Sequence, residues 1–95
     1  MSVNLQYPQI NLNGADGLDL ARQYAEAAQA VENAVEKMGR LVHGRDYQTA
    51  GVDAYRNAVE QMRYRIRPMI AIYNDLRDIA ENCADQVGVP TNRIG

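Results

Sequence analysis

The chain has 95 residues and therefore forms at most one domain, and its formal net charge of −2 gives no basic surface for nucleic acid or anionic membranes. It contains no Trp and no Phe but six Tyr, so its apolar residues suit thin helical packing better than a thick mixed core. A domain this small buries a modest fraction of its surface, which favours a partner.

Residues 1–15 differ from the rest of the chain. Val3, Leu5 and Tyr7 alternate with polar residues, and Ile10 and Leu12 do so after a proline. This period-two pattern predicts an extended arm laid on a surface, and an arm without such a surface would be disordered. The sequence here has no basic start and no continuous apolar run, so no secretory signal peptide is expected.

The first predicted helix covers residues 16–42. Asp16 is a suitable N-cap residue, and Asp19 in the first turn suits the helix dipole. Gly44 is expected to end the helix in the left-handed conformation. The apolar positions repeat at spacings of about four and three, as in a coiled coil. They are Leu20, Tyr24, Ala27, Val31, Ala34, Met38 and Leu41.

A turn at residues 43–48 precedes a second predicted helix over 49–87, with Asp46 or Thr49 as its cap. The same heptad spacing continues without a slip, and Gly88 and Pro90 end the helix before a flexible tail at 89–95. The apolar positions of this helix are Val52, Tyr55, Val59, Met62, Ile66, Met69, Tyr73, Leu76, Ala80, Cys83 and Val87.

Pro68 lies inside the second predicted helix. It cannot donate a hydrogen bond to the Tyr64 carbonyl, and it disfavours helix at Arg67. The heptad phase nevertheless continues across it, with Ile66 and Met69 in step. A kinked but continuous helix is therefore predicted in preference to two helices joined by a loop.

The sequence thus predicts an all-α fold, an antiparallel helix-turn-helix hairpin over residues 16–88 that is half of a four-helix bundle. The apolar stripe on the second helix is wider than one helix can cover. An N-terminal arm, a second copy or another helical chain must cover the rest. The predicted interface residues are Ile66, Ile70, Ile72 and Ile79.

No catalytic or metal-binding set is recognisable, and neither enzyme activity nor a cofactor is expected. The single His, His43, stands in the turn without a second His, and the single Cys, Cys83, reads as a small buried residue. Arg56, Arg63, Arg65 and Arg67 share the second helix with Glu60 and with later acidic residues. This polarity favours matching to a helical partner over binding to phosphate.

The turn contains small residues between two tyrosines. Tyr47 is expected to fold over the end of the hairpin and join the two helices. Thr49 and Gly51 are small enough to let the second helix approach the first, and Tyr55 follows one turn later on the seam.

These residues resemble the turn motif of the WXG-type, Esx-like proteins of type VII secretion systems. Tyr47 stands where that family has its Trp, Thr49 where it has its Gly, and Ala54 with Tyr55 where it has an Ala-aromatic pair, while Gly51 matches a frequent small residue. The likeness covers residues 16–88 in architecture and 47–55 in motif. Both residues that name the motif are replaced.

The resemblance implies a non-enzymatic secreted partner or export adaptor that binds another small helical protein or the helical targeting domain of a larger effector. It also implies a cytoplasmic protein that is later secreted or displayed at the cell surface without a signal peptide. The family's Tyr-x-x-x-Asp/Glu export signal is missing, so it is expected on the partner. The alternative is a cytoplasmic homodimeric coiled-coil adaptor or scaffold unrelated to secretion.

Overall fold

The computed structural model describes residues 5–10 and 15–88, with side chains from residue 17 onward in the second range. Two helices, α1 (Ala15–Gly39) and α2 (Ala54–Gln86), pack along each other, and a short 3₁₀ turn at Gly44–Tyr47 lies between them. The described residues contain helices and no strand, which confirms the predicted all-helical hairpin. Most of the predicted arm, at 1–4 and 11–14, and the predicted tail at 89–95 lie outside the described residues.

The stripe of α1 that faces α2 differs from the predicted one. Ala21 and Ala28 are fully buried, whereas Ala27 and Leu41 are exposed. The heptad spacing is as predicted, but every second position of the stripe is one residue later in the chain than predicted. The inward residues of α1 are Gly17, Ala21, Tyr24, Ala28, Val31, Val35 and Met38, and Val42 continues the series just after the helix.

The helix α2 follows its predicted stripe along most of its length. The heptad positions from Val59 to Val87 are half-buried or buried, and Ala80 and Cys83 among them are fully buried. The first two predicted positions are exceptions, because Val52 is 94% and Tyr55 46% exposed. They lie at the bend end of the hairpin.

The core lies at the open end of the hairpin, opposite the bend. Ala21 of α1 packs there with Cys83 and Ala84 of α2, all at most 1% exposed. Small residues let the two helix backbones approach closely, so this end is tightly closed although it contains no large side chain. Leu20 and Ile79 cover the cluster from outside.

The first helix has different ends from those predicted. It begins at Ala15, so Asp16 lies inside it rather than at its cap, and it ends at Gly39 rather than at residue 42. Hydrogen bonds from Arg40 N–H to the Lys37 carbonyl (3.1 Å) and from Leu41 N–H to the Met38 carbonyl (3.2 Å) tighten the last turn. Gly44 does not close the helix; it starts the 3₁₀ turn.

The second helix begins at Ala54, later than the predicted residue 49. Gly51 has φ of +108°, which lies outside right-handed helix and separates Asp46 and Thr49 from α2. The cap residue is Asp53, which also forms an ion pair with Arg56 at 3.2 Å. At the other end Gly88 adopts φ of +80°, so it closes the helix in the left-handed conformation as expected.

The helix α2 passes through Pro68 without interruption. One backbone hydrogen bond is missing there, yet the side chains on both sides keep their heptad phase and continue to face α1. Packing against α1 therefore outweighs the local cost of the proline.

Residues 5–10 carry no helix or strand and contact the end of α2. The backbone N–H of Ile10 donates to Gln86 Oε1 at 2.8 Å, and Gln86 Nε2 donates to the Pro8 carbonyl at 2.8 Å. The Ile10 side chain packs against the Ala21, Cys83 and Ala84 cluster. Part of the N-terminal region thus belongs to the open end of the hairpin.

Candidate functional site: the surfaces of the hairpin

Tyr47 and Tyr55 contact each other at the bend. Their ring centroids lie 6.3 Å apart with a tilt of 50° between the planes, which is a favourable arrangement for an aromatic pair. Gly44 lies beneath the Tyr55 ring. The backbone of the 3₁₀ turn approaches α2, and the contact between Tyr47 and Tyr55 joins the turn to that helix. That Tyr47 also joins the two helices stays a prediction.

Thr49 and Gly51 do not bring the helices together. Both are exposed and precede α2, and a Cβ added at Gly51 would meet nothing within 4 Å. The expected close approach at this point is therefore wrong. Gly51 is suited to its place by its positive φ, which lets the chain reverse before Asp53 and Ala54 start the helix.

The four predicted interface isoleucines lie on three different sides of α2. Ile66 is half-buried in the stripe that faces α1, so it belongs to the hairpin's own contact. Ile70 and Ile72 are 48% and 50% exposed on opposite edges of that stripe. Ile79 shares the edge of Ile72 and packs against the core cluster. They do not form one continuous stripe.

The edge that carries Ile72 and Ile79 continues onto α1 and forms one face of the hairpin, which we call face A. In an antiparallel pair, the residues that precede every second inner position of one helix lie on the same side as the equivalent residues of the other helix. A groove on this side runs between Leu20 and Ala27 of α1 and the inner residue Leu76 of α2, and Leu20 and Ile79 cover the same cluster. Face A consists of Leu20, Ala27 and Ala34 on α1, Leu41 just after α1, and Ala58, Arg65, Ile72 and Ile79 on α2.

The opposite side, face B, is more charged. A pocket of about 280 Å³ near the bend brings Gly39, the last residue of α1, and Val42, which follows the helix, beside Met62 and Arg63 of α2. One ion pair on this side joins Arg63 to Glu60 of the same helix at 3.5 Å. Face B consists of Leu18, Ala25, Glu32 and Gly39 on α1 and Arg56, Arg63, Ile70 and Arg77 on α2.

The contribution of α1 to face A is what the sequence reading missed. Leu20, Ala27, Ala34 and Leu41 have the heptad spacing of an inner stripe and were assigned to it. A second heptad series through Ala21, Ala28, Val35 and Val42 has the same spacing and faces inward, with the two alanines fully buried and the two valines half-buried. This second series is also fully apolar, and that was the signal from which its inward position could have been predicted. Two adjacent apolar series on one helix indicate a buried seam and an additional exposed edge.

Charges on and beside face A are few and are separated along the hairpin axis. From the contact between Gly17 and Val87 at the open end, Lys37 and Arg65 lie about 30 Å toward the bend and Asp75 about 18 Å. Within the described residues none of the three forms an ion pair. Face A is therefore apolar near the open end, with a basic pair near the bend.

The remaining reactive groups are isolated from each other. Cys83 is a free, fully buried thiol, and burial raises its pKa above the ordinary value of 9.0, which suppresses the reactive thiolate. His43 is exposed in extended backbone. Among the described residues no three His, Cys, Asp or Glu side chains are grouped so that they could hold a metal ion.

Neither of the two described helices is long and apolar enough to cross a membrane. Comparison with known protein families, curated proteins and solved structures finds no match to this chain.

Proposed function

We propose that this chain is a non-enzymatic helical-hairpin partner, or export adaptor, of a type VII secretion system. In this proposal it binds a second small helical protein, or the helical targeting domain of a larger effector, to complete a four-helix bundle. It is made in the cytoplasm and leaves the cell, or reaches its surface, without a signal peptide.

The observation that carries the binding part of the proposal is the composition of face A. Leu41 is 64% and Ile72 50% exposed, and the alanines between the larger residues leave room for a helix to approach closely. Exposed apolar residues that share one face of a small protein mark an interaction surface. Face A has one row of side chains on each helix, and these two rows fit the surface of a pair of helices better than the surface of a single helix.

The secretion part of the proposal rests on the resemblance of the turn. Tyr47 and Tyr55, at the family's two aromatic positions, lie in contact at the bend. Gly51, where the family often has a small residue, has a positive φ that favours glycine. The departure from the family's export signal fits a chain that is exported together with a partner that carries one.

Co-expression tests the binding part. A tagged chain is expressed with each small helical open reading frame adjacent to its gene, and the purified material is analysed by light scattering. We expect a stable complex of one chain with one partner. A chain that stays monomeric at high concentration and unbound to every neighbouring product would contradict the proposal.

Export is tested separately in the source organism. We expect the chain in the culture medium or at the cell surface of the wild type, and its retention in a strain that lacks the membrane ATPase of the secretion system. Export that is unaffected in that strain would remove the secretion assignment and leave the binding surface in place.

A homodimeric adaptor is the second candidate, and the charges around face A favour it. Two copies packed through face A with their bends at opposite ends place Arg65 of one copy level with Asp75 of the other, an attractive pair. Bends at the same end would instead bring Lys37 against Arg65. Light scattering of the chain alone distinguishes this candidate, because it requires a dimer without any added partner.

A further inference from the structure

Gln86 binds the backbone of residues 8–10 with both of its side-chain polar atoms. Its Oε1 accepts from the Ile10 N–H and its Nε2 donates to the Pro8 carbonyl, each at 2.8 Å. The second hydrogen of Nε2 is donated to Asn82 Oδ1 at 2.7 Å, which fixes the orientation of the amide. The pair of contacts resembles the pairing of an edge strand and depends on no side chain of the bound segment.

A shaped apolar site lies beside this amide. The Ile10 side chain packs on the cluster of Ala21, Cys83 and Ala84. A Cβ added at Gly17 would lie 2.5 Å from Ile10 Cγ2 and 2.6 Å from Val87 Cγ1, so the absent side chain of Gly17 creates the space that Ile10 fills. The open end thus combines a backbone-reading amide with a recess for one branched side chain.

We propose that the open end is a peptide-binding socket, formed by Gly17, Ala21, Cys83, Ala84, Gln86 and Val87, that residues 8–10 occupy in cis. Its ligand is a short extended segment with a free backbone carbonyl, a free N–H two residues later and a branched aliphatic side chain on that later residue. Proline at the carbonyl position suits the site because it holds the segment extended. This proposal does not depend on face A or on secretion.

The same chemistry makes the socket accessible to a segment of another chain. Pro8 and Ile10 are attached through two hydrogen bonds and one side chain, with both bonds at the protein surface. A tethered segment competes at an effective concentration on the order of millimolar. An extended Pro-x-Ile segment of a partner, presented in a complex, replaces it when its local concentration is higher.

The test uses the full-length protein labelled with ¹⁵N and a blocked hexapeptide with the sequence of residues 5–10. In the Ile10→Asp variant the socket is emptied, and we expect millimolar peptide to shift the side-chain amide signals of Gln86 toward their wild-type positions. A peptide with Asp in place of its Ile is the matched control and is expected to cause no shift. Adding Gly17→Val to the variant is expected to abolish these shifts. Gln86→Ala removes the reporting amide, so its expected loss of binding is read from the labelling rate of Cys83.

Labelling of the Cys83 thiol gives an independent readout. We expect labelling of the Ile10→Asp variant to be at least tenfold faster than that of the wild type, and to be slowed again by the hexapeptide. Circular dichroism checks the fold; if Ile10→Asp unfolds the hairpin, Ile10→Gly replaces it in both measurements. Equal peptide effects on the folded variant with and without Gln86, or no shift at all, would overturn the proposal.

Discussion

Tyr47 is a half-buried residue whose ring packs on that of Tyr55 at the bend, in a chain that has few aromatic side chains. Such a pair contributes about 1 kcal/mol beyond the burial of its area. We therefore expect Tyr47→Ala to lower the thermal midpoint by about 5 °C, and Tyr7→Ala to lower it less. Thermal unfolding followed by circular dichroism measures both.

Tyr64→Ala serves as the control for the tyrosine comparison, because Tyr64 is 75% exposed and should tolerate the change. A double-mutant cycle of Tyr47 and Tyr55 separates the ring contact from other effects of truncation. Equal shifts for Tyr47→Ala and Tyr7→Ala would show that the bend does not depend on this pair.

Gly51 and Gly39 allow a matched comparison of two glycines with open space around them. A Cβ meets nothing within 4 Å at either position, but only Gly51 has a positive φ. Gly51→Ala should cost more than about 1 kcal/mol of stability because of backbone strain alone. Gly39→Ala, at the end of α1, should be neutral or stabilising by up to about 1 kcal/mol. Urea unfolding compares them, and a neutral Gly51→Ala would contradict the strain argument.

At the scale of whole elements, the sequence predicted the two helices and their hairpin but only one of the two contact stripes. In α2 a single apolar heptad series dominates, so the phase of that series is unambiguous. Its members from Val59 to Val87 face α1. In α1 two adjacent apolar series compete. The choice between them depends on which set of side chains lets the backbones approach, and that is a property of the pair of helices rather than of α1 alone.

The ends of the helices were less predictable because several neighbouring residues are suitable start or stop signals. Gly39 and Gly44 are both plausible stop signals, and Asp46, Thr49 and Asp53 are all plausible caps. The positive φ of Gly51 decides the start of α2, and it cannot be read from the presence of a glycine. The same limit applies to the bend residues of the candidate site, whose contacts follow from where α2 begins.

The continuity of α2 through Pro68 leads to a prediction for this element. Replacing the proline restores a backbone N–H that can bond to the Tyr64 carbonyl, within a helix that is already formed. Pro68→Ala should therefore leave helix content equal or slightly higher and should raise the thermal midpoint. Backbone chemical shifts that place a non-helical loop at residues 64–68 of the wild type would be evidence for three helices.

For the molecule as a whole, the two faces of the hairpin provide a charge-matched test of partner binding. Ile79 packs against the core cluster, so the face A variant combines Ala27→Glu with Ile72→Glu, both exposed positions. We expect it to reduce co-purification with the partner at least tenfold while helix content stays the same, because buried carboxylates at an interface are costly. Pull-down and light scattering measure the loss.

The face B variant, Leu18→Glu with Ile70→Glu, carries the same added charge and changes residues that are 38% and 48% exposed. It should retain the partner. Loss of binding in this variant alone would move the interaction surface to the opposite side of the hairpin, and equal loss in both would mean that added charge rather than position weakens the complex.

The position of Ala15 and Gln86 at the same end of the hairpin has a mechanical consequence. A force that pulls the two ends of the hairpin apart separates one pair of facing residues after another, instead of shearing all of them at once. The cluster of Ala21, Cys83 and Ala84 is the first buried cluster to resist. Beyond Ala28 and Ala80, which are also buried, the stripe is only half-buried and offers less resistance. The hairpin should therefore open like a zipper at low force, from its tightest point toward the bend.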